Sequence, residues 1–132
     1  FELNHLEQLN AIQESDAYNS ILTSDWNESV AIGPNFNLAK REIMFEDFQD
    51  DDFADLIYFD AFGARVQPEL WTETIFKKMY DALKDKGIIV TYAAKGSVRR
   101  AMQAVGFKVE RLPGPPGKRE MLRGTKQRDT AL

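Results

Sequence analysis

Residues 56–94 are LIYFDAFGARVQPELWTETIFKKMYDALKDKGIIVTYAA. Two short apolar runs in this stretch, at 56–59 and 88–94, flank a longer segment in which apolar residues recur every three or four positions. A short run that is apolar on both faces is typical of a strand buried in a parallel sheet. The succession of strand, helix and strand therefore predicts an α/β fold with a largely parallel sheet.

The segment between the two runs is predicted to be a helix from Pro68 to Lys86. Proline is favoured in the first helical turn, where its missing N–H would have no partner, and Gly87 is placed to end the helix. One face of this helix is apolar, and its stripe consists of Trp71, Ile75, Met79 and Leu83. We expect that face to pack on the sheet.

The C-terminal part of the chain is predicted to form a short helix and two strands. Ser97 is a candidate N-cap of a helix that continues through Val105. Alternation of apolar and polar residues at 107–112 indicates an edge strand, and a last strand is predicted at 118–123. Because only the loop PGPPG joins these two strands, we expect them to pair antiparallel.

The N-terminal part gives weaker signals. Helical spacing predicts an amphipathic helix at 3–12, and a further helical turn is expected around 18–22. A strand is predicted at 36–45, although three consecutive charged residues interrupt it. The chain is divided into one partial domain at 1–124 and a disordered tail at 125–132.

The composition is that of a single globular domain, since 43% of the 132 residues are apolar and 29% are charged. The chain has no cysteine and one histidine, His5, so we predict no metal site. No apolar run approaches the roughly 18 residues of a membrane helix, and no membrane partner is predicted. The lack of cysteine fits a reducing compartment, and the expected location is cytoplasmic.

The net charge of −4 conceals an uneven distribution. Residues 1–60 contain 14 acidic and two basic side chains, whereas residues 61–132 contain 15 basic and seven acidic ones. Ten of these basic residues lie at 95–128. A basic segment on an acidic protein indicates an anionic partner at one end of the fold, with a solvated surface as the alternative.

Asp60 is the first candidate for chemistry, because it follows a buried run directly and precedes Ala61-Phe62-Gly63. Ligands of α/β sheets bind at the carboxyl ends of the strands, which is where this residue is expected. The alternative is that Asp60 only caps a turn or a helix. Trp71, on the apolar helix face, is weighed as a core residue against a stacking platform for a ligand.

Five short motifs occur in order along the chain: DAFG at 60–63, QPELWT at 67–72, GSVRR at 96–100, AVGF at 104–107 and GKREML at 117–122. This series resembles the tRNA 5-methylaminomethyl-2-thiouridine methyltransferases, which comprise the stand-alone MnmD enzymes and the N-terminal domain of the bifunctional MnmC proteins. The resemblance covers just over half of the chain. It implies a Rossmann-like methyltransferase fold, here N-terminally truncated, with a mixed sheet and an antiparallel C-terminal strand pair.

The resemblance also implies the cofactor S-adenosylmethionine and methyl transfer to the 5-aminomethyl nitrogen of the wobble uridine of tRNA. Asp60 would be the catalytic residue, which orients the amine and accepts its proton. The residues implied in cofactor binding are Glu2, Asp47, Asp60, Ala61 and Phe62, with Glu42 and Glu46 as alternatives to Asp47 for the adenine contact. Those implied in substrate binding are Phe62, Trp71, Arg99, Arg100, Lys118, Arg119 and Glu120.

One departure from the family concerns the glycine-rich loop that binds the cofactor, which this sequence does not contain. We therefore expect the chain to be a fragment that binds S-adenosylmethionine poorly and needs an N-terminal segment. An FAD-dependent oxidase is a further expected partner or domain. The alternatives are a methyltransferase of a small molecule or a protein, and a non-catalytic RNA-binding remnant.

Overall fold

The computed structural model describes residues 15–61, 63–117 and 120–127. The chain divides into two compact units, Phe1–Ile43 and Met44–Leu132. The predicted helix at 3–12 lies outside the described residues, as does the end of the predicted tail at 128–132.

The first unit contains one helix and a small sheet. Helix α1 is Ser15–Thr23, longer than the single turn expected around Tyr18, and strands β1 (Ser29–Ala31) and β2 (Asn37–Ala39) pair antiparallel. The strand predicted at 36–45 is thus wrong in its length. Strand β2 ends where its pairing with β1 ends, because the next residue, Lys40, pairs with Trp26 in an isolated parallel bridge instead. The Lys40 ammonium also donates to the Ile21 carbonyl of α1 at 3.1 Å.

The second unit is built on a four-stranded mixed sheet. Its strands are β3 (Ala54–Tyr58), β4 (Leu83–Thr91), β5 (Phe107–Pro113) and β6 (Glu120–Lys126), in the order β3-β4-β6-β5. Strands β3 and β4 are parallel, and β6 is antiparallel to both β4 and β5. The predicted mixed sheet and its antiparallel C-terminal pair are confirmed. The expectation of a largely parallel sheet is wrong for the described strands, because β6 lies between β4 and β5 and makes two of the three strand pairs antiparallel.

The helix between β3 and β4 is shorter than predicted. Pro68–Trp71 is a 3-10 turn, and the α-helix α2 is Glu73–Ala82 with Thr72 as N-cap, whose hydroxyl accepts the N–H of Ile75 at 3.4 Å. The predicted end at Lys86 and the capping role of Gly87 are wrong. Leu83 is fully buried and already extended, because it pairs with β3 rather than continuing the helix.

The next helix, α3, is Gly96–Ala104, and its N-cap is Lys95. The predicted cap by Ser97 is wrong, since this cap involves no side-chain hydrogen bond. The inward residues Val98 and Met102 are buried as predicted.

The core lies between one face of the sheet and the two helices α2 and α3. Phe76, Ile89, Met102 and Leu122 are fully buried there, and each such side chain contributes about 1.5–3 kcal/mol of burial free energy. Gly124 of β6 leaves room for this packing. A Cβ at that position would lie 2.9 Å from Met102 Cε and 3.0 Å from Ile89 Cγ2.

The last strand ends later than predicted. Strand β6 is Glu120–Lys126, so it passes both the predicted end at Arg123 and the boundary drawn at Gly124, while the predicted start at 118–119 lies outside the described residues. Its end is held by Tyr80, whose hydroxyl donates to the Gln127 carbonyl at 3.3 Å and whose ring centroid lies 4.8 Å from Lys126 Nζ. These contacts with a helix distant in sequence extend the strand.

Candidate active site at the carboxyl edge of the sheet

The carboxyl ends of β3 and β4 lie side by side because the two strands are parallel neighbours. Beyond β3, the N–H of Phe59 donates to the Val90 carbonyl at 2.9 Å, so the pairing continues to the residue before Asp60. Phe59 is buried, and its ring meets that of Trp71 edge-on at 5.1 Å. The backbone that presents Asp60 is therefore fixed on its N-terminal side, while the Asp60 side chain itself is exposed.

Asp60 lines two clefts at this edge. The first has a volume of about 240 Å³ and is lined by Tyr58, Phe59, Asp60, Val90, Thr91, Tyr92 and Met121. The second has a volume of about 450 Å³ and is lined by Phe45, Asp60, Ala61, Gln67 and Leu70. A group that lines both clefts can contact two different molecules, which is what a transfer reaction requires.

The first cleft carries two exposed aromatic rings. Tyr58 is 77% exposed and Tyr92 is 53% exposed, whereas Phe59 between Tyr58 and Asp60 points the other way into the core. The end of β4 is shaped by Thr91, a buried residue whose hydroxyl accepts the N–H of Ala93 at 3.3 Å. Aromatic faces beside a carboxylate are a favourable environment for a cation.

The candidate cofactor residues are only partly brought together. Asp60 and Ala61 line the second cleft, and Asp47 ends a 3-10 turn, Phe45–Asp47, whose first residue lines the same cleft. Asp47 and its alternative Glu46 are both exposed, while the other alternative, Glu42, belongs to the first unit. Glu2 and Phe62 lie outside the described residues.

The candidate substrate residues have different surroundings. Trp71 is 8% exposed and packs on Phe59 and Phe76, which supports the core role weighed for it rather than direct contact with a substrate. Glu120 faces Arg111 across the strand pair, with 3.6 Å between Oε2 and Nη1. Lys118 and Arg119 lie outside the described residues.

Arg99 and Arg100 lie in the first turns of α3, at the same edge as Asp60, because α3 follows the carboxyl end of β4. Arg99 is half-buried, and its Nε is a buried atom with no hydrogen-bond partner among the described residues. Arg100 is exposed and folds back over Gly96, where its Nη1 lies 3.0 Å from the position that a Cβ would take. Neither guanidinium group forms an ion pair with a described residue.

Several cleft residues were not identified from the sequence: Phe45, Tyr58, Gln67, Leu70, Tyr92 and Met121. The rule that placed Asp60 at a strand end applies equally to Tyr58 and Tyr92, which stand at the ends of β3 and β4. Phe45 and Leu70 carry no such signal, because only the tertiary fold brings them beside Asp60.

Comparison with known proteins shows the family of the chain. The family model described as S-adenosyl-L-methionine-dependent methyltransferase matches residues 13–127. The chain belongs to this family. Family membership makes S-adenosylmethionine the cofactor and confirms the methyltransferase prediction.

Individual relatives agree with the family. A similar curated protein is the tRNA 5-methylaminomethyl-2-thiouridine biosynthesis bifunctional protein MnmC of Actinobacillus pleuropneumoniae, 40% identical over 79 residues, which are 58% of this chain and 12% of that protein. The chain thus spans a small part of this relative. The fold is similar to MNMC2 from Aquifex aeolicus, with a TM-score of 0.64, 23% identity, and coverage of 81% of this chain and 35% of that one.

A second solved structure has the same fold. It is the S-adenosylmethionine-dependent methyltransferase SibL in its apo form, with a TM-score of 0.51, 17% identity, and coverage of 68% of this chain and 36% of that one. Together with MNMC2 it confirms the methyltransferase fold predicted for the sheet.

The residues at the carboxyl edge fit the cofactor, which carries a positive sulfonium centre. Asp60 supplies an exposed carboxylate, and the rings of Tyr58 and Tyr92 supply aromatic surface beside it. Both features stabilise a cation. Among the described residues, no group of acidic or histidine side chains could hold a metal ion. The helices in that part of the chain are also too short or too polar to cross a membrane.

Proposed function

We propose that this chain is part of a tRNA methyltransferase that acts on the 5-aminomethyl group of the wobble uridine. The observation that carries the proposal is the position of Asp60, which lines two adjoining clefts at the carboxyl edge of the sheet. One cleft would take the cofactor and the other the modified base. The similarity to a relative named for 5-methylaminomethyl-2-thiouridine biosynthesis supports tRNA as the substrate.

The work of the protein in this reaction is to present a neutral amine in line with the methyl group. S-adenosylmethionine, when bound, supplies an electrophilic methyl group. An alkyl amine is normally protonated at neutral pH, since the pKa of such groups is about 10.4. Asp60 would accept a hydrogen bond from the amine, orient its lone pair and take the proton that is released. Because Asp60 is exposed, that proton can pass on to water.

Positioning by the surrounding residues supplies another part of the rate. Phe59 is held in place by the core and by its hydrogen bond to Val90, so the backbone that leads into Asp60 is fixed. Holding two reactants in a reactive geometry is worth about 7–11 kcal/mol in favourable cases.

Cofactor affinity is a separate part of the proposal. The 132-residue sequence contains no glycine-rich loop, and PGPPG at 113–117 cannot replace one because its prolines lack N–H groups. We infer that this chain by itself binds S-adenosylmethionine weakly. Calorimetry of the 132-residue chain tests this inference, and micromolar affinity would contradict it. A remnant that binds RNA without catalysis would give RNA binding and no cofactor heat.

The experiment for the main proposal is methyl transfer from labelled S-adenosylmethionine to tRNA that carries 5-aminomethyluridine, catalysed by the protein in its natural length. Asp60→Asn is expected to lower kcat by about 10²–10⁴, the range of general acid–base catalysis. Asp55→Asn is the matched control, because Asp55 is an exposed aspartate on β3, the strand that precedes Asp60, and lines neither cleft. Equal rates for Asp60→Asn and the wild type, or transfer to a small molecule but not to tRNA, would refute the proposal.

A further inference from the structure

The basic residues of the C-terminal segment fall into two groups that differ in their partners within the fold. Of the ten at 95–128, the structure describes seven. Three of these, on strands β5 and β6, have partners within the protein. Arg123 Nη2 lies 3.2 Å from Glu110 Oε2, and Arg111 Nη1 lies 3.6 Å from Glu120 Oε2. Cross-strand pairing thus neutralises much of the charge of the strand pair.

Lys126 also has partners within the protein. Its ammonium donates to the Leu83 carbonyl at 2.7 Å and lies 4.8 Å from the centroid of the Tyr80 ring. This cation joins the end of β6 to the junction between α2 and β4. An RNA phosphate would have to compete with these contacts.

The basic residues at the start of α3 are different. In the part of the chain that the structure describes, Lys95, Arg99 and Arg100 form no ion pair. The first turn of α3 contains no acidic residue that could neutralise them. Arg99 additionally has a buried Nε without an acceptor, and the guanidinium of Arg100 is held over Gly96. Three unneutralised cations therefore stand within six residues of each other.

These cations lie at the edge of the sheet that carries the candidate active site. Lys95 is the N-cap of α3 and follows the end of β4 by four residues, and β4 ends beside Asp60. Lys108 makes a useful contrast. It is also exposed and forms no ion pair with any described residue, but it stands at the start of β5, which runs parallel to β4 and so begins at the opposite edge.

We propose that Lys95, Arg99 and Arg100 form a surface, the α3 cationic surface, that binds phosphates of the RNA backbone next to the Asp60 clefts. Strands β5 and β6 then contribute structure rather than RNA contacts through Arg111, Arg123 and Lys126. This inference rests on the proposed tRNA substrate. Phosphate contacts position an RNA without regard to its sequence, so the surface would set the register of the substrate, and the clefts would select the base.

The test is the salt dependence of tRNA binding by the full-length protein and its variants. Each phosphate contact contributes about 0.7–0.9 to the slope of log K against log salt, so its loss weakens binding about five- to eightfold at 0.1 M salt. Lys95→Gln and Arg100→Gln are each expected to show this loss, and both positions are exposed, which favours normal folding. A thermal melt of each variant verifies that it folds.

Two controls match these variants. Lys108→Gln removes the same charge as Lys95→Gln at the opposite edge, and Arg111→Gln removes the same charge as Arg100→Gln from a paired site. Both are expected to change affinity less than twofold. A loss for Lys108→Gln equal to that for Lys95→Gln would show general electrostatic attraction and overturn the proposal. So would a loss of S-adenosylmethionine affinity in Arg100→Gln with unchanged tRNA binding.

The two proposals fail in different ways. If the wild-type protein does not bind tRNA, the proposed function fails, and this inference fails with it. If the wild type binds tRNA and Lys95→Gln and Arg100→Gln keep its salt slope, only the α3 cationic surface is refuted.

Discussion

Replacement of Trp71 separates a core role from a substrate role. Its ring is 8% exposed, with the Phe59 ring centroid at 5.1 Å and the Phe76 centroid at 6.2 Å. Trp71→Ala removes this packing and leaves a cavity, which is expected to lower the free energy of unfolding by about 3–5 kcal/mol. Trp71→Phe keeps one ring in contact with Phe59 and is expected to cost about 1–2 kcal/mol.

The assay is urea unfolding followed by tryptophan fluorescence. The chain has two tryptophans, so a Trp26→Phe background leaves Trp71 as the reporter of its own unit. Trp26 is 55% exposed, with Lys40 Nζ 5.3 Å from its ring centroid, and its replacement is expected to change stability by less than about 0.5 kcal/mol. Trp71→Ala lacks this reporter, so its unfolding is followed by circular dichroism. We expect the slope m, which relates the unfolding free energy to the urea concentration, to be the same as in the wild type.

The expected shift is large enough to measure. With m of about 2 kcal/mol per molar urea, a loss of about 4 kcal/mol lowers the midpoint by about 2 M. Total stabilities of such domains are about 5–15 kcal/mol, so a loss of about 4 kcal/mol leaves Trp71→Ala with about 1–11 kcal/mol, and both variants stay folded enough for their midpoints to be measured. An unchanged midpoint combined with a raised KM for tRNA would refute the core role and restore Trp71 as a substrate contact.

Two further predictions concern packing and capping. Gly124→Ala places a Cβ 2.9 Å from Met102 Cε and 3.0 Å from Ile89 Cγ2. The resulting overpacking is expected to lower the unfolding free energy by about 1–3 kcal/mol. An unchanged midpoint in urea unfolding would show that these side chains can move aside. Thr72→Ala removes the cap of α2 and is expected to cost about 1 kcal/mol, whereas Ser97→Ala should cost less than about 0.5 kcal/mol because Ser97 does not cap α3. Equal losses for the two variants in thermal melts would contradict the assignment of the caps.

The parts of the fold that the sequence predicts are those fixed by local pattern. The run at 56–59, the apolar stripe that includes Ile75 and Met79, and the alternation at 107–112 each match an observed element. The stripe on α2 is buried as predicted, and Phe107 of the alternating segment is buried as well. The burial predicted for both faces of the run at 56–59 is wrong, because Leu56 is 46% exposed and Tyr58 is 77% exposed, so only the face with Phe59 packs on the core. Burial supplies most of the free energy that holds these elements, so their existence follows from composition and spacing alone.

The errors occur where two elements compete for the same residues. Leu83 continues the helical stripe of Trp71 and Met79, and it equally suits the first buried position of a strand. Pairing of β4 with Ala54 of β3 decides the matter, and no local signal reports that distant strand. The late end of β6 has the same cause, since Tyr80, remote in sequence, provides the contacts at Lys126.

The candidate site was only half predictable for a related reason. The sequence identifies Asp60 as a candidate because the end of an apolar run marks the end of a strand, and ligands of α/β sheets bind at the carboxyl ends of the strands. The second cleft depends on Phe45 and Leu70, which belong to two separate 3-10 turns that meet only after folding. A cleft is a property of the packing between elements, and the sequence carries no periodicity that encodes it.

The position of a basic residue in the fold decides whether it has an acidic partner, and the number of basic residues per length of sequence does not. A strand pair brings side chains of its two strands face to face, so Arg123 finds Glu110 across the sheet and Arg111 finds Glu120. On a helix, successive side chains point in different directions around the axis. A basic residue on a helix at the edge of the sheet is therefore not placed opposite a residue of a neighbouring strand. Arg99 and Arg100 lie on such a helix, and neither forms an ion pair within the described part of the chain. The same basic residue types thus pair with carboxylates on the strands and, by our proposal, bind RNA on the helix.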